Sequence, residues 1–560
     1  MDNKIISRTL NLLSQLMELH GDNPFKVKSL AASAYKIGKL PFSIADKSAA
    51  DIEKIEGMGK STALKVTELV QTKSIGELES LLKITPTGIV EMLQVKGIGP
   101  KKVQVIWKEL GIENLGELYY ACNENRLIEA KGFGAKTQED IRKVIEFKMA
   151  SNGRFLYASA ENFAEELIRN LKTKWSSDLV YPTGGYRRKC EVLDGLSILA
   201  AVQPPQDGSA VFEALGLYVL KADGMTVETE APTGINVQFT FCKPEEFWWL
   251  LFKQTGTDAH VNEVISRLPS DIIHAPSEED IYKEAGLQFI EPELREGSNE
   301  IERAQHHAIP RLITFGDLKG TLHNHSTWSD GVHTLEEMAI FCRDELNLEY
   351  LGISDHSKSA FYARGLNEEQ IIAQHREIDE LNERLAPFRI FKGIEADILY
   401  DGSLDYTDDV LAKFDFVVAS VHSILKMNEE KATDRLLKAI ENPFTTILGH
   451  PTGRLLLTRS GYPIDHKKVI DACAANNVVI EINSNPLRLD MDWRWHQYAL
   501  EKGVTLSINP DAHRNEGFYD MHFGVMAGRK GGLSPQNCLN ARSLDEIEAY
   551  FEKKKAGVKI

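Results

Sequence analysis

Residues 321–331 read Thr321-Leu322-His323-Asn324-His325-Ser326-Thr327-Trp328-Ser329-Asp330-Gly331. Two histidines at i and i+2 leave a strand on the same face, and Asp330 follows in a Ser-Asp-Gly turn. Downstream, short apolar runs recur: Tyr350-Leu351-Gly352-Ile353-Ser354, Phe416-Val417-Val418-Ala419-Ser420, Thr446-Ile447-Leu448-Gly449, Val478-Val479-Ile480-Glu481-Ile482 and Val504-Thr505-Leu506-Ser507-Ile508. Helical stretches separate them. Continuous apolar runs are strands buried on both faces, and their alternation with helices predicts parallel strands in a βα barrel.

These runs end in residues that bind metals. The ends are Ser354-Asp355-His356, Ile394-Glu395-Ala396-Asp397, Ser420-Val421-His422, Gly449-His450-Pro451 and Asn509-Pro510-Asp511-Ala512-His513. The C-terminal strand ends of a βα barrel form one rim, where the chemistry sits. His323, His325, Asp330, His356, Glu395, His422, His450, Asp511 and His513 are therefore expected to converge. Nine nitrogen and oxygen donors exceed the needs of one ion and suit two or three zinc or manganese ions. A lone buried histidine is more often a hydrogen-bonded core residue, but six such groups at six strand ends do not read that way. A metal cluster of this type polarises a phosphoryl oxygen and supplies hydroxide near neutral pH.

The N-terminal part has another character. Ile55-Glu56-Gly57-Met58-Gly59-Lys60 recurs as Val95-Lys96-Gly97-Ile98-Gly99-Pro100 and as Ala130-Lys131-Gly132-Phe133-Gly134-Ala135, each before a helical, lysine-containing segment. Glycines around an apolar residue allow a tight turn between helices. The next helix then points its first amides at a phosphate. This is the helix-hairpin-helix pattern, which grips DNA backbone without reading bases. The candidate contacts are Gly57, Gly59, Lys60, Gly97, Gly99, Lys101, Gly132, Gly134 and Lys136.

Charge agrees with that division. The 560 residues carry a net charge of −17, yet residues 1–150 hold 22 Lys and Arg against 19 Asp and Glu. Nucleic acid is thus expected at the N-terminal part. Hydrophobic content of 42% and charged content of 26% exclude disordered and fibrous classes. No apolar run is long enough to span a bilayer, and the first residues lack the layout of a signal peptide. Six scattered cysteines without a CxxC pair predict a reducing, cytoplasmic setting.

On residues 321–331 and Ile508-Asn509-Pro510-Asp511-Ala512-His513, residues 316–560 resemble a polymerase-and-histidinol-phosphatase (PHP) domain. The whole chain resembles a bacterial family X DNA polymerase with a C-terminal PHP domain. The resemblance implies a multidomain chain. Residues 1–110 would be a helix-hairpin-helix, lyase-like and fingers region, and 111–150 a third hairpin ending the fingers. Residues 151–245 would be an α+β nucleotidyltransferase-like palm, 246–300 a thumb and 301–315 a linker. Residues 316–560 would be a distorted seven-stranded βα PHP barrel. The family's PHP domain is a manganese-dependent 3′–5′ exonuclease, with abasic-site endonuclease activity in some members. Its pattern implies one ion on His323, His325, Glu395 and Asp511, a second on Glu395, His422 and His450, and a third on Asp330, His356 and His513. Asp330 and Glu395 would also be catalytic. Arg488, near a strand end in Asn485-Pro486-Leu487-Arg488, would contact phosphate or form a surface salt bridge.

The palm departs from its family. Arg187-Arg188-Lys189-Cys190-Glu191-Val192-Leu193-Asp194-Gly195-Leu196-Ser197-Ile198-Leu199 aligns with a family stretch reading RRxxExxGDxDIL. Gly195 and Ser197 then stand at two catalytic aspartate positions and Gln238 at the third, while Asp194 falls one residue early. The glycine-serine pair that holds the triphosphate appears as Gly184-Gly185, and Lys253-Gln254 precede Thr255-Gly256. Two-ion phosphoryl transfer needs acidic oxygens, so templated synthesis is expected to be lost. Lys65 matches the family's Schiff-base lysine and would be nucleophilic if its pKa were lowered. The reading preferred over that one is a phosphate-contacting or solvated helix lysine.

The reading is a monomeric DNA-repair nuclease acting on gapped, nicked or 3′-recessed DNA, with no membrane partner. Its competitors are an active gap-filling polymerase with an attached exonuclease, a non-catalytic DNA-binding scaffold and a small-molecule PHP phosphatase.

Overall fold

The structure, a computed structural model, describes residues 1–95, 97–128, 130–150, 153–205, 208–269 and 275–557. The chain divides into two units, Met1–Glu146 and Phe147–Ile560.

The first unit is helical. Helix Asn3–Leu19 starts where Asp2 accepts a hydrogen bond from the Lys4 amide, and it buries Ile6, Leu10, Leu13, Leu16 and Met17, the periodicity of an amphipathic helix. The three glycine hairpins form as the sequence predicts. Gly57, Gly97 and Gly132 have φ of 82°, 93° and 90°, which a side chain would disfavour. Between the glycines, Met58 and Ile98 are buried. Helices Lys60–Thr72, Pro100–Lys108 and Ala135–Ala150 follow directly. Lys96 of the second hairpin lies outside the described residues.

The second unit opens on a short antiparallel pair, β1 (Phe155–Leu156) with β3 (Val192–Leu193). A five-stranded sheet follows, of β2 (Val180–Thr183), β4 (Leu196–Ala200), β5 (Tyr218–Asp223), β6 (Thr226–Glu230) and β7 (Asn236–Phe241), in the order β2-β4-β7-β6-β5. Residues 211–215, whose alternation suggests a strand, lie instead at helix Gly208–Glu213 and the turn after it. The alternation was a single anchor: Phe212 is fully buried, its ring 4.8 Å from Phe239. Residues 301–315, read as a linker, are not loose. Helix Glu300–Gln305 runs into them, and Ile301, Ala304, Ile309 and Leu312 are buried, because these apolar side chains complete the helical core that holds Phe252 and Tyr282; Ile313 is buried in the larger core of the second unit.

The barrel strands are β8 (Gly320–Thr321), β9 (Tyr350–Ile353), β10 (Arg389–Asp397), β11 (Phe416–Ser420), β12 (Ile447–Leu448), β13 (Val479–Asn483) and β14 (Leu506–Asn509). They pair in sequence order, all parallel. The barrel is distorted at its seam, where a side chain stands in for a ladder. The Asn540 amide donates to the carbonyls of Gly320 (3.1 Å) and Ile508 (2.8 Å) and accepts from the Ile508 amide at 2.7 Å. Above it, the His325 amide donates to the Ala512 carbonyl at 2.9 Å.

The five-stranded sheet, the helices after it and the barrel pack as one unit, although the sequence reads them as separate domains. Glu191, from the Arg-Arg-x-x-Glu stretch, accepts from Trp493 Nε1 at 3.0 Å and Arg494 Nη1 at 2.9 Å in the barrel. Buried Lys530 of the barrel donates to the Arg188 carbonyl at 3.0 Å. Arg187 Nη1 reaches Thr255 Oγ1 (2.7 Å) and Glu278 Oε1 (3.0 Å), and Arg188 Nε reaches Glu296 (3.0 Å). These arginines tie the segment before β3 to the helices and loops that follow the five-stranded sheet.

Candidate metal centre

All nine residues expected at the rim lie together. His323 and His325 leave the end of β8 fully buried, and Asp330, His356, Glu395, His450, Asp511 and His513 are buried around them. Gly331 lets the Asp330 turn fold back on the strand, since a Cβ there would sit 2.1 Å from the His325 carbonyl oxygen. Asp511 turns with a φ of 55°, a left-handed conformation that persists only where its surroundings impose it.

Glu395 is the hub. Its Oε1 lies 3.2 Å from His323 Nε2, 3.0 Å from His422 Nε2 and 3.1 Å from His450 Nε2. Its Oε2 lies 2.9 Å from His356 Nδ1 and 3.6 Å from His325 Nε2. Asp511 Oδ1 is 3.0 Å from His325 Nε2 and 3.6 Å from His323 Nε2. Asp330 lies 3.6 Å from His356 Nε2 and 3.4 Å from His513 Nε2. Three groupings emerge: His325, Asp330, His356 and His513; His323, His325 and Asp511; and His356, Glu395 and His422. The family pattern assigns His325 and His356 to one ion each, whereas here each stands in two groups.

The donor set fits divalent ions. His323 Nε2, His325 Nε2, Asp330 Oδ2 and Glu395 Oε2 are buried and make no hydrogen bond, which costs about 1–3 kcal/mol per group if nothing else satisfies it. Donors about 2.0–2.2 Å from a shared ion stand roughly 3.0–3.6 Å apart, the spacing found here.

A second layer aims these donors, and sequence reasoning passed it over. His323 Nδ1 donates to Glu481 Oε2 at 2.7 Å, which leaves Nε2 for the site. His422 Nδ1 donates to Asp397. Glu481 also accepts from the His450 amide and from the side chains of Asn483 and Asn509. Asp355 accepts from Ser326, Ser329 and Gln374. Partners of this kind fix ring orientation and tautomer. A carboxylate within the apolar run Val478–Ile482, and Asp397 at i+2 from Glu395, were the available signals.

The electrostatics match a site that needs cations. Burial works to lower the His323 pKa, but Glu481, Glu395 and Asp511 hold it well above the usual range. Burial, with His513 and His356 nearby, pushes His325 down to about 3. Burial opposes ionisation of Glu395, and the surrounding histidines overcome it, holding that carboxyl well below its usual range.

Arg488 is buried on the loop after β13, so the surface salt bridge open to it on sequence does not describe its place. In the first unit, Lys60, Lys101 and Lys136 are exposed at the starts of the hairpin helices. Lys65 is ion-paired with Glu77, its side chain 18% exposed.

A helix-hairpin-helix domain model matches residues 1–75, and a SAM-like helix-hairpin-helix tandem model matches residues 89–146. The DNA polymerase/3′-5′ exonuclease PolX of Bacillus subtilis is 36% identical over 99% of this chain and 100% of its own length. This chain belongs to the PolX family of family X DNA polymerases. A probable phosphatase of Thermoanaerobacter sp. is 28% identical over 31% of the chain and 73% of its own length, and one of Acetivibrio thermocellus 26% over 42% and 96%. Such phosphatases match the C-terminal part of the PolX chain.

The positions that the sequence resemblance assigns to catalytic aspartates lie at or beside β4 and β7. Ser197 of β4 and Gln238 of β7 stand opposite each other in a parallel pairing. Gly195 sits beside Asn236, whose carbonyl would lie 3.1 Å from an added Cβ. Asp194 points to solvent, its side chain 85% exposed and 3.2 Å from Arg154 Nε.

Proposed function

We propose that this PolX-family chain is a DNA-repair nuclease that hydrolyses phosphodiesters at the barrel rim, near a 3′ end and at abasic sites, with two to three manganese or zinc ions. The convergence of nine ligand-type side chains on Glu395, Asp511 and Asp330 carries the reading. Divalent ions held by these residues would polarise the phosphoryl group and supply a hydroxide nucleophile. The chain's own residues hold and aim them. Glu395 bridges between histidines on both of its oxygens, and Glu481 and Asp397 keep the far nitrogens of His323 and His422 as donors. Arg488 supplies a phosphate contact.

The hairpins deliver the substrate. Gly57, Gly59, Gly97, Gly99, Gly132 and Gly134 leave open space around the helix starts for a phosphate, apart from the Lys36 side chain beside Gly57, and Lys60, Lys101 and Lys136 add charge there. The substrate is gapped, nicked or 3′-recessed DNA, bound by a monomer in the cytoplasm. Among the described residues no helix is long and apolar enough to cross a membrane. Glycine, serine and glutamine at the palm positions give no acidic oxygen for paired Mg²⁺, so the palm is read as a scaffold without synthesis. It docks on the barrel through Glu191.

The test is incubation of end-labelled recessed, gapped and abasic DNA in Mn²⁺, with and without nucleotides, beside His323→Ala. Shortening that the variant loses, with no extension, is the expected result. Extension would restore the polymerase reading. Inertness toward DNA with turnover of small phosphate monoesters would favour a phosphatase.

A further inference from the structure

Phe361 is 87% exposed, the most exposed large apolar side chain among the described residues. It sits on the loop that follows β9, five residues beyond His356 in the chain. A phenylalanine held in water forfeits the burial that such a ring normally gains.

The loop is not slack. The Leu366 amide donates to the His356 carbonyl at 2.8 Å, and the Gly365 amide to the Ala360 carbonyl at 3.1 Å. Gly365 passes so close to the Ser357 carbonyl that a Cβ would lie 1.8 Å from its oxygen. Tyr406 donates its hydroxyl to the Leu366 carbonyl and accepts from the Lys358 amide at 3.2 Å. Asp405 accepts from the Ser359 amide at 2.9 Å. Ala360 and Ala363, on either side of the exposed ring, are buried anchors. The neighbouring Tyr362 turns inward and places its ring edge-on to His356, with centroids 6.0 Å apart. Phe361 is thus fixed outward by a loop whose next residue packs its ring against His356.

Its neighbours have a matching chemistry. Lys358 and Arg364, on the same loop, are exposed. The loops after the adjacent strands β10 and β11 each present another exposed apolar group, Tyr400 at 51% and Ile424 at 56%. Glu395 lies two residues before the end of β10, and His422 two residues after the end of β11. Cations beside a rigid exposed ring recognise a phosphate chain that carries flat, apolar bases.

We propose that Phe361 is a stacking platform for a nucleobase of the strand being cut, next to the scissile phosphate. The inference rests on the nuclease reading and deepens it. A base inside a duplex is covered on both faces, so the platform selects a base freed from one neighbour.

Two oligonucleotides differing only in the terminal 3′ nucleotide, base-bearing or abasic, test it with the full chain in Mn²⁺. Phe361→Ala should lose roughly tenfold in kcat/KM on the base-bearing strand, the size of one base–aromatic stack, and nothing on the abasic strand. Phe361→Trp should restore the wild-type rate. Equal loss on both strands, or no loss, overturns the proposal. A wild type inert on both strands would refute the nuclease reading instead. Quenching of a 3′-terminal 2-aminopurine on binding then decides the platform: quenching absent in Phe361→Ala supports it, and unchanged quenching overturns it.

Discussion

Ser197 and Gln238 face each other across the β4–β7 pairing, at the positions that the sequence resemblance to family X assigns to catalytic aspartates. Neither side chain is ionisable, and Asp194 points into solvent beside Arg154. Primer extension on a gapped template, in Mg²⁺ or Mn²⁺, should therefore give no templated product. Incorporation that follows the template base would contradict this.

Glu481 touches no reacting atom, yet it fixes His323 and reaches Asn483, Asn509 and the His450 amide. Glu481→Gln should weaken Mn²⁺ binding and hydrolysis by about 10–100-fold while the fold persists. Equilibrium Mn²⁺ titration with circular dichroism checks both parts. Wild-type affinity in the variant would remove Glu481 from the account.

Buried Glu278 neutralises two arginines, Arg187 and the fully buried Arg295. Removal of one partner from such a set leaves a buried charge, at a cost of about 3–5 kcal/mol. Glu278→Ala should lower the urea midpoint of the second unit accordingly. A shift equal to that of an exposed Glu→Ala control would show the cluster to be idle.

His496 is fully buried, and burial pushes its pKa from 6.5 down to about 4. The folded state therefore resists a proton that the unfolded chain takes up below about 6.5. Stability from this group is complete above that pH and declines as pH falls toward 4. Between pH 7 and 5 the loss is about 2 kcal/mol. His496→Gln should shrink the wild-type advantage by that amount at pH 5, as read by urea unfolding. An advantage independent of pH would contradict it.

Lys65 is paired with Glu77, so no Schiff base is expected there. Borohydride trapping with 5′-deoxyribose phosphate DNA should yield no adduct. An adduct lost in Lys65→Ala would reverse this.

The barrel was legible because strands buried on both faces write continuous apolar runs, and ligand residues at their ends break those runs visibly. The hairpins were legible because only glycine suits a φ near 90°. The contact of Glu191 with Trp493 was not, since it joins residues 302 positions apart and leaves no local pattern. Phe212 misled for the reverse reason: one buried ring next to smaller residues imitates a strand's alternation. Helix Glu300–Gln305 was hidden by its polar composition, because Ile301 and Ala304 are its only apolar buried side chains and the third buried residue is Glu300.

The measurement that bears most directly on the central claim is the Mn²⁺-dependent shortening rate of a 5′-labelled, 3′-recessed duplex by wild type and Glu395→Gln at equal concentration. Glu395 is within 3.6 Å of five histidines, so the account predicts shortening by the wild type and none by the variant, with its fold intact. Shortening by Glu395→Gln at the wild-type rate would place the chemistry outside the barrel rim.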